Sequence, residues 1–482
     1  MRKAIFLRNA VRCVMDTAML VVLGVGLAAG QSSLANGKAW IHPGWKQVVV
    51  DPEPLAGTIR RQIADISSLG GRRFVVAYII EDRTDNRLGR GDLRYARFDV
   101  DAGLKSSPIG VAARADWVRA ATGGPLLQGT CSLEAVTARL IQPEVRLEFG
   151  NPNYVTFFSY GLRDGDVLRA KLMRHNWCGG RFMTTHHDVG GGVKPSVAVG
   201  RHVGEIKLLV VYGRGNGLFG RFFDTAGTPI GTEFEVDTFP DGFDITSTDI
   251  IWNAVAQRFI VGFIRNGGLA GGCTVNNVRI TWEGVVEEPV RRGFCDAETG
   301  GHHTAVAYDN RPSSNPDGVY AWWYEGYPES GGLYPVKALR LMDANGNPTG
   351  FEVDLVQSGL TFPVASRREK SEPLQLQLGL IPGSYVTVST VSPFTAGEKR
   401  MAGWTFDPDG STRMIGLVTP EHSWQVAVET LETNTVVLWR QCVSDNECSL
   451  GPWAITVFSH FRPDQRILRI RVPEKDVNEK AP

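Results

Sequence analysis

The chain has 482 residues, with 51 basic and 51 acidic side chains and 55 glycines. Its charges are balanced and form no basic stripe, which argues against a nucleic-acid partner. Glycine is plentiful and strong helical runs are absent, as expected of short strands joined by many turns.

Residues 1–35 read as an export signal. Arg2, Lys3, Arg8 and Arg12 form a basic start, and Thr17–Ala29 is an apolar core too short to span a bilayer. Ser33-Leu34-Ala35 is a small-x-small cleavage site, so the mature chain is expected to begin near Asn36 and to be secreted or periplasmic. Nothing later in the chain is apolar enough to cross a membrane. Cleavage removes four basic residues and one acidic one, leaving 47 (51 less 4) against 50 (51 less 1) and a net charge near −3. Six cysteines remain: Cys131, Cys178, Cys273, Cys295, Cys442 and Cys448. An even number in an exported chain reads as disulfides. Many pairings are open; neighbour pairing, 131–178, 273–295 and 442–448, is the simplest. No C-x-x-C or paired Cys/His spacing favours a metal site instead.

Beyond the signal, Gln47-Val-Val-Val50 has the makings of a strand. The most regular stretch, residues 194–237, reads as four consecutive strands. Glu205–Tyr212 is apolar on both faces, Asn216-Gly217 supplies a tight hairpin turn, and Asp224-Thr-Ala-Gly227 turns the chain again. Glu233–Asp237 alternates as a half-wet last strand. The doubly buried second strand recurs as Phe74-Val-Val-Ala-Tyr78, Val155-Thr-Phe-Phe158, Phe259-Ile-Val-Gly-Phe263, Tyr320-Ala-Trp-Trp323, Val386-Thr-Val-Ser389 and Val436-Val-Leu-Trp439, giving seven copies. The first spacing is long enough for an insertion near 107–142. A circular array must join its ends, so either Gln47–Val50 or Ile467–Val472 should complete the last copy. Residues 475–482 form a polar tail.

The copies resemble the F-V-V-x-W … R-F-D-x-x-G-x-x-x-G-x-E-F-x-V repeats of large secreted bacterial proteins. Arg97-Phe-Asp99, Arg340-Leu-Met-Asp343, Phe234-Glu-Val-Asp237 and Phe351-Glu-Val-Asp354 carry the resemblance. It implies a propeller-like all-β repeat and no particular activity. The expected fold is an all-β, seven-bladed β-propeller forming one domain over 36–474. Six blades plus an irregular insertion is the alternative.

Two histidine pairs stand out, His186-His187 and His302-His303, each expected in the connector leading into an innermost strand. His187 and His303 there would be acid/base candidates. The bland alternative is a wet loop residue or one bonded to a turn. The segment Trp322–Tyr334 is expected to leave its strand and form an aromatic loop, with Tyr324, Tyr327 and Tyr334 beside Glu325, suited to stacking on a sugar or gripping a peptide. Those rings folding back over the blade is its bland counterpart. No cofactor is expected. Asp343-Ala-Asn345-Gly-Asn347 begins like a calcium loop, but Pro348 stands where such a loop needs glycine and the repeat's own turn is the plainer reading; Asp237, Asp241, Asp244 and Asp249 cluster between copies and read more simply as a solvated loop than as a calcium site. The leading function is a binding or scaffold module for a glycan, peptide or protein partner. The alternatives are an extracellular lyase or hydrolase acting on a polysaccharide with histidine acid/base groups, and a structural part of a surface assembly.

Overall fold

In the computed structural model the described residues lie between Trp40 and Ser459. They leave out 1–39, 42–47, 51–58, 83–90, 126–153, 296–303, 309–316, 329–335, 355–368, 371–384, 392–399, 442–452 and 460–482, with some shorter connectors. Every regular element among them is a strand.

Strands β1 (Trp40–Ile41) and β2 (Val48–Val49) come first, followed by a meander of β3 (Ile59–Gly70), β4 (Arg73–Asp82), β5 (Gly91–Asp99) and β6 (Gly103–Pro125). The last of these serves two units. Its first half, through Ala115, pairs with β5; from Ala115 on it pairs with β7 (Tyr154–Asp164), which leads to β8 (Val167–Cys178) and β9 (Arg181–Gly190). Arg114 sits at the changeover with a left-handed φ of 59°. One continuous strand thus ends the first unit and opens the second.

The third unit is the antiparallel sheet of β10 (Val193–His202), β11 (Glu205–Arg214), β12 (Gly217–Phe223) and β13 (Pro229–Thr238), the four strands read from residues 194–237. The fourth comprises β14 (Asp244–Asn253), β15 (Arg258–Asn266), β16 (Cys273–Thr281) and β17 (Val290–Cys295). The fifth comprises β18 (Thr304–Tyr308), β19 (Tyr320–Pro328), β20 (Val336–Met342) and β21 (Pro348–Asp354). Then come β22 (Glu369–Lys370), the three-stranded sheet of β23 (Tyr385–Val391), β24 (Arg400–Phe406) and β25 (Thr412–Leu417), and a last unit of β26 (Ser423–Thr430), β27 (Asn434–Gln441) and β28 (Trp453–Ser459). Both β1 and β2 pair with β28, so the start of the chain supplies the outer strand of its last sheet. Closure by Gln47–Val50 was one of the two routes expected; Ile467–Val472 lies outside the described residues.

The first strands of successive units lie against one another in a ring. β3 meets β6, β6 meets β10, β10 meets β14 and β14 meets β18; β22 bridges β18 to β26, and β26 returns to β3. Meanders set around a closed ring of inner strands, with the last sheet completed by the chain's first strands, make a propeller-type all-β architecture.

The core lies between units, not inside them. Among the described residues, the second strands β4, β7, β11 and β15 are buried on both faces and divide their residues between two neighbours. Phe74, Val76 and Tyr78 pack with Val436, Leu438 and Ile455 of the last unit, while Val75, Ala77 and Ile79 pack with Val118, Phe158 and Tyr160 of the second. Leu208, Val210 and Tyr212 meet Phe157 and Leu172, whereas Leu209 and Val211 meet Phe259, Val261 and Phe263. An all-apolar strand with no wet face is the sequence signature of this arrangement. At one point of this pattern the inner strands carry polar side chains instead. Asp65, Arg119, Ser196 and Asp249 occupy the same register position, opposite Ala77, Ser159, Val211 and Gly262, and all four are buried. Ser196 Oγ donates to the Thr248 carbonyl of the next inner strand at 2.8 Å, and Asp249 accepts from the Val306 amide of the one after at 3.1 Å. The ring is therefore tied by side chain to backbone bonds as well as by apolar packing.

The repeated turns follow from their sequence. Asp224 Oδ1 accepts from the amides of Ala226 and Thr228, and Asp343 Oδ1 from those of Asn345 and Asn347; Gly227 and Gly346 close these turns with φ values of 89° and 80°. Such φ values favour glycine. The glycines also face the preceding unit: Gly227 lies against the His187 ring, Gly284 against Phe222, and Gly346 against the Arg279 guanidinium.

Two expectations change. Residues 107–125, read as part of an insertion, are strand β6, while 126–142 lie outside the described residues. His186 and His187 are not in a connector into an inner strand: they belong to β9, the outer strand of the second unit.

Candidate functional site

Strand β9 carries a polar cluster. His187 pairs across the sheet with Leu172, and its Nε2 is 3.1 Å from Thr185 Oγ1 while its ring rests on the Gly227 turn. His186 lies on the opposite face of β9 from His187. The Tyr160 hydroxyl lies 3.0 Å from His186 Nδ1, and the two rings meet edge to face. Lys171 bridges Tyr160 and Asp188 in the same cross-strand row, with its ammonium 2.6 Å from the Asp188 carboxylate. Burial, and then the Asp188 charge, pushes the Tyr160 phenol up to about 12. Burial, then His187 and Lys171, pushes His186 below its ordinary value. A phenol held protonated beside a neutral imidazole is a stable donor–acceptor pair.

The aromatic segment is organised differently from expectation. Tyr324 and Tyr327 are not in a loop, because β19 continues through Pro328. Tyr324 pairs with Thr304 on one side and Ala338 on the other. Beyond the end of β18, Tyr327 and Pro328 pair with Phe294 and Gly293 of β17, in the preceding unit. The stretch Glu325–Pro328 is thus a strand extension reaching from one unit to the next. Its root is fixed by Trp322, fully buried, whose indole donates to Thr304 Oγ1 at 2.9 Å. His303 and Tyr334 lie outside the described residues. His187 and the tyrosine arm stand on different units, the second and the fifth, so the structure does not bring them together.

One residue past the arm's partners on β17, Cys295 stands directly opposite Cys273, which is 1% exposed. Opposed residues of an antiparallel pair have Cα atoms about 4.5–5.5 Å apart, within the span a disulfide needs. Cys178 ends β8; Cys131, Cys442 and Cys448 lie outside the described residues.

Sequence reasoning passed over a second cluster because it fell in the supposed insertion. Trp117 of β6 is buried, and its indole donates to the Pro195 carbonyl at 3.0 Å, which also accepts from Ser159 Oγ at 2.8 Å. The Arg119 guanidinium lies 3.9 Å from the Trp117 ring centre, and the Lys194 ammonium 4.5 Å. Lys194 itself has a left-handed φ of 51°, where β10 shifts register. The signal available in the sequence was the Trp-x-Arg spacing facing Lys194-Pro-Ser196.

Among the described residues no group of three or more His, Cys, Asp or Glu side chains is placed to hold a metal ion. The Asp343 carboxylate is engaged by its own turn, including the Asn347 side-chain amide at 3.2 Å. Asp249 is a buried strand residue rather than a solvated loop residue. No helix among the described residues is long and apolar enough to cross a membrane.

No protein family and no curated protein matches the chain. Solved structures do. The β-propeller domain of the trilobed protease from Pyrococcus furiosus is similar at 12% identity, over 85% of this chain and 98% of that one, with a TM-score of 0.41. The Aleuria aurantia lectin, a six-bladed propeller in complex with Fucα1-6GlcNAc, is similar at 11% identity over 77% and 98%, with a TM-score of 0.39. The α-L-arabinanase of Penicillium chrysogenum is similar at 13% identity over 65% and 92%, with a TM-score of 0.37. At these values the likenesses are to folds and carry no argument about activity.

Proposed function

We propose that this chain is an exported seven-bladed propeller that serves as a binding module for a glycan, peptide or protein partner. Its strand arrangement supports seven units: two are joined through β6, three follow to β21, one holds β23–β25, and one is closed by β1 and β2. The observation that carries the binding reading is the β19 extension. An aromatic, acidic segment, Tyr324-Glu-Gly-Tyr327, has backbone partners in its own unit and in the preceding one. A contact surface ordered in this way before a ligand arrives loses less entropy on binding. Tyr324, Glu325, Tyr327 and Tyr334 are the residues assigned to it. The polysaccharide-enzyme alternative draws on His186, whose pairing with Tyr160 gives it a phenol partner, rather than on His187, which is packed against a turn.

The test is capture of immobilised polysaccharides and peptides by wild type and by the double variant Tyr324→Ala, Tyr327→Ala. Each ring is expected to contribute roughly 0.5–1.5 kcal/mol beyond its buried area. Capture should fall markedly at an unchanged melting temperature. Equal capture by both proteins would remove the arm from the site.

Export and oxidation belong to the same reading. The order of basic, apolar and small residues over 1–35 supports cleavage near Asn36, and the Cys273–Cys295 register supports one of the three neighbour disulfides. Intact mass of the protein recovered outside the cytoplasm should show that start and no free thiols. An uncleaved chain with reactive thiols would overturn this.

A further inference from the structure

The hairpin between β10 and β11 has a two-residue turn, Val203-Gly204, closed by the His202–Glu205 pair. Both turn residues have positive φ, 46° and 81°, which is the type I′ geometry that Asn-Gly satisfies best. A β-branched residue is an outlier there and strains the backbone. The equivalent turn of the next unit places polar Gln257 at positive φ and is capped by Asn253, whose side chain accepts from the Val255 and Ala256 amides. Val203 gains nothing in return for its strain, because it is 87% exposed.

A second exposed aliphatic residue follows a ring that touches this hairpin. Trp282 is buried, with the His202 imidazole 5.5 Å and the Lys207 ammonium 4.6 Å from its indole. Three residues on, Val285 is 61% exposed. Val203 and Val285 are the most exposed large hydrophobic residues among those described, and the contact of His202 with Trp282 joins the two turns that carry them into one tip of the third and fourth units. Both signs of charge accompany them: Lys207 on one hand, exposed Glu205 and Glu283 on the other. Hydrogen bonds from its own backbone and the Thr281 hydroxyl, then the nearby His202 and Lys207, hold the Glu283 carboxyl below its ordinary range.

We propose that this tip is a contact surface for a second copy of the chain, with Val203 as its apolar centre. A two-fold pairing brings a patch onto itself, so a patch with both signs flanking an apolar centre is complementary to its own copy. The strained valine is retained because its side chain is buried only in the pair.

The experiment uses Val203→Asn and sedimentation velocity over a concentration series. Asparagine fits the left-handed turn, so the melting temperature measured at high dilution should rise by about 1–3 °C. Dimerisation should weaken about a hundredfold, since both copies lose an apolar side chain. A wild type that stays monomeric throughout overturns the proposal. So does a variant that dimerises unchanged, or one that melts lower, which would mean Val203 serves its own fold. Val285→Asn is expected to weaken the dimer without the thermal gain.

Discussion

Replacing Val50 by aspartate is expected to destabilise the protein by about 4 kcal/mol or more, because it places an uncompensated charge in an apolar cluster. Val50 is fully buried among Phe74, Tyr78, Trp453 and Ile455, and its amide donates to the Trp453 carbonyl at 2.9 Å. It therefore holds the chain's start to the last unit and packs against the first. Val50→Ala, which keeps the amide and removes only two methyl groups, should cost about 2 kcal/mol. Denaturant unfolding of the two variants checks this. Losses within about 0.5 kcal/mol of wild type would mean that closure by the first strands contributes little.

Gly227→Val is expected to cost about 2–3 kcal/mol, from left-handed backbone strain and from overpacking. The φ of 89° disfavours any side chain, and an added Cβ would collide with the His187 ring. The two contributions can be separated. In a His187→Ala background the collision disappears while the strain remains, so Gly227→Val should then cost about 1 kcal/mol less. An identical cost in both backgrounds would show that the ring yields freely. Loss of ligand capture with no change in stability would instead mark the turn as part of a binding site.

Much of the fold was legible because the second strands have no wet face. Leu208–Tyr212 and Phe259–Phe263 could only be strands packed on both sides, and they are. The Asp-x-x-Gly turns were legible for a similar reason: the aspartate and the glycine each solve a local backbone problem. The outer strands were harder to read. Thr185-His-His-Asp188 is a run of polar residues that merely alternates between half-buried and exposed, so nothing apolar marks it as a strand. Strand β6 was hidden by its double duty. Its changeover falls at Ala113-Arg114-Ala115, where residues of ordinary composition adopt an unusual backbone and no glycine or proline announces it. The tyrosine arm was expected in a loop, and its Gly326 and Pro328 give no local mark of a strand. Its pairing with β17 depends on a neighbouring unit that local reasoning does not see.

The pairing of β1 and β2 with β28 joins residues from nearly opposite ends of the chain. During synthesis these first strands emerge earliest, yet their partner is among the last segments made. For most of that time the Val50 end has no sheet to join, and once β28 is made its outer edge stays bare until the chain's beginning finds it. Non-local pairings of this kind are slow to form, and bare edges recruit other chains. Ring closure is thus the natural final step of folding, and the interval before it is when the protein is most exposed to aggregation and to chaperone capture.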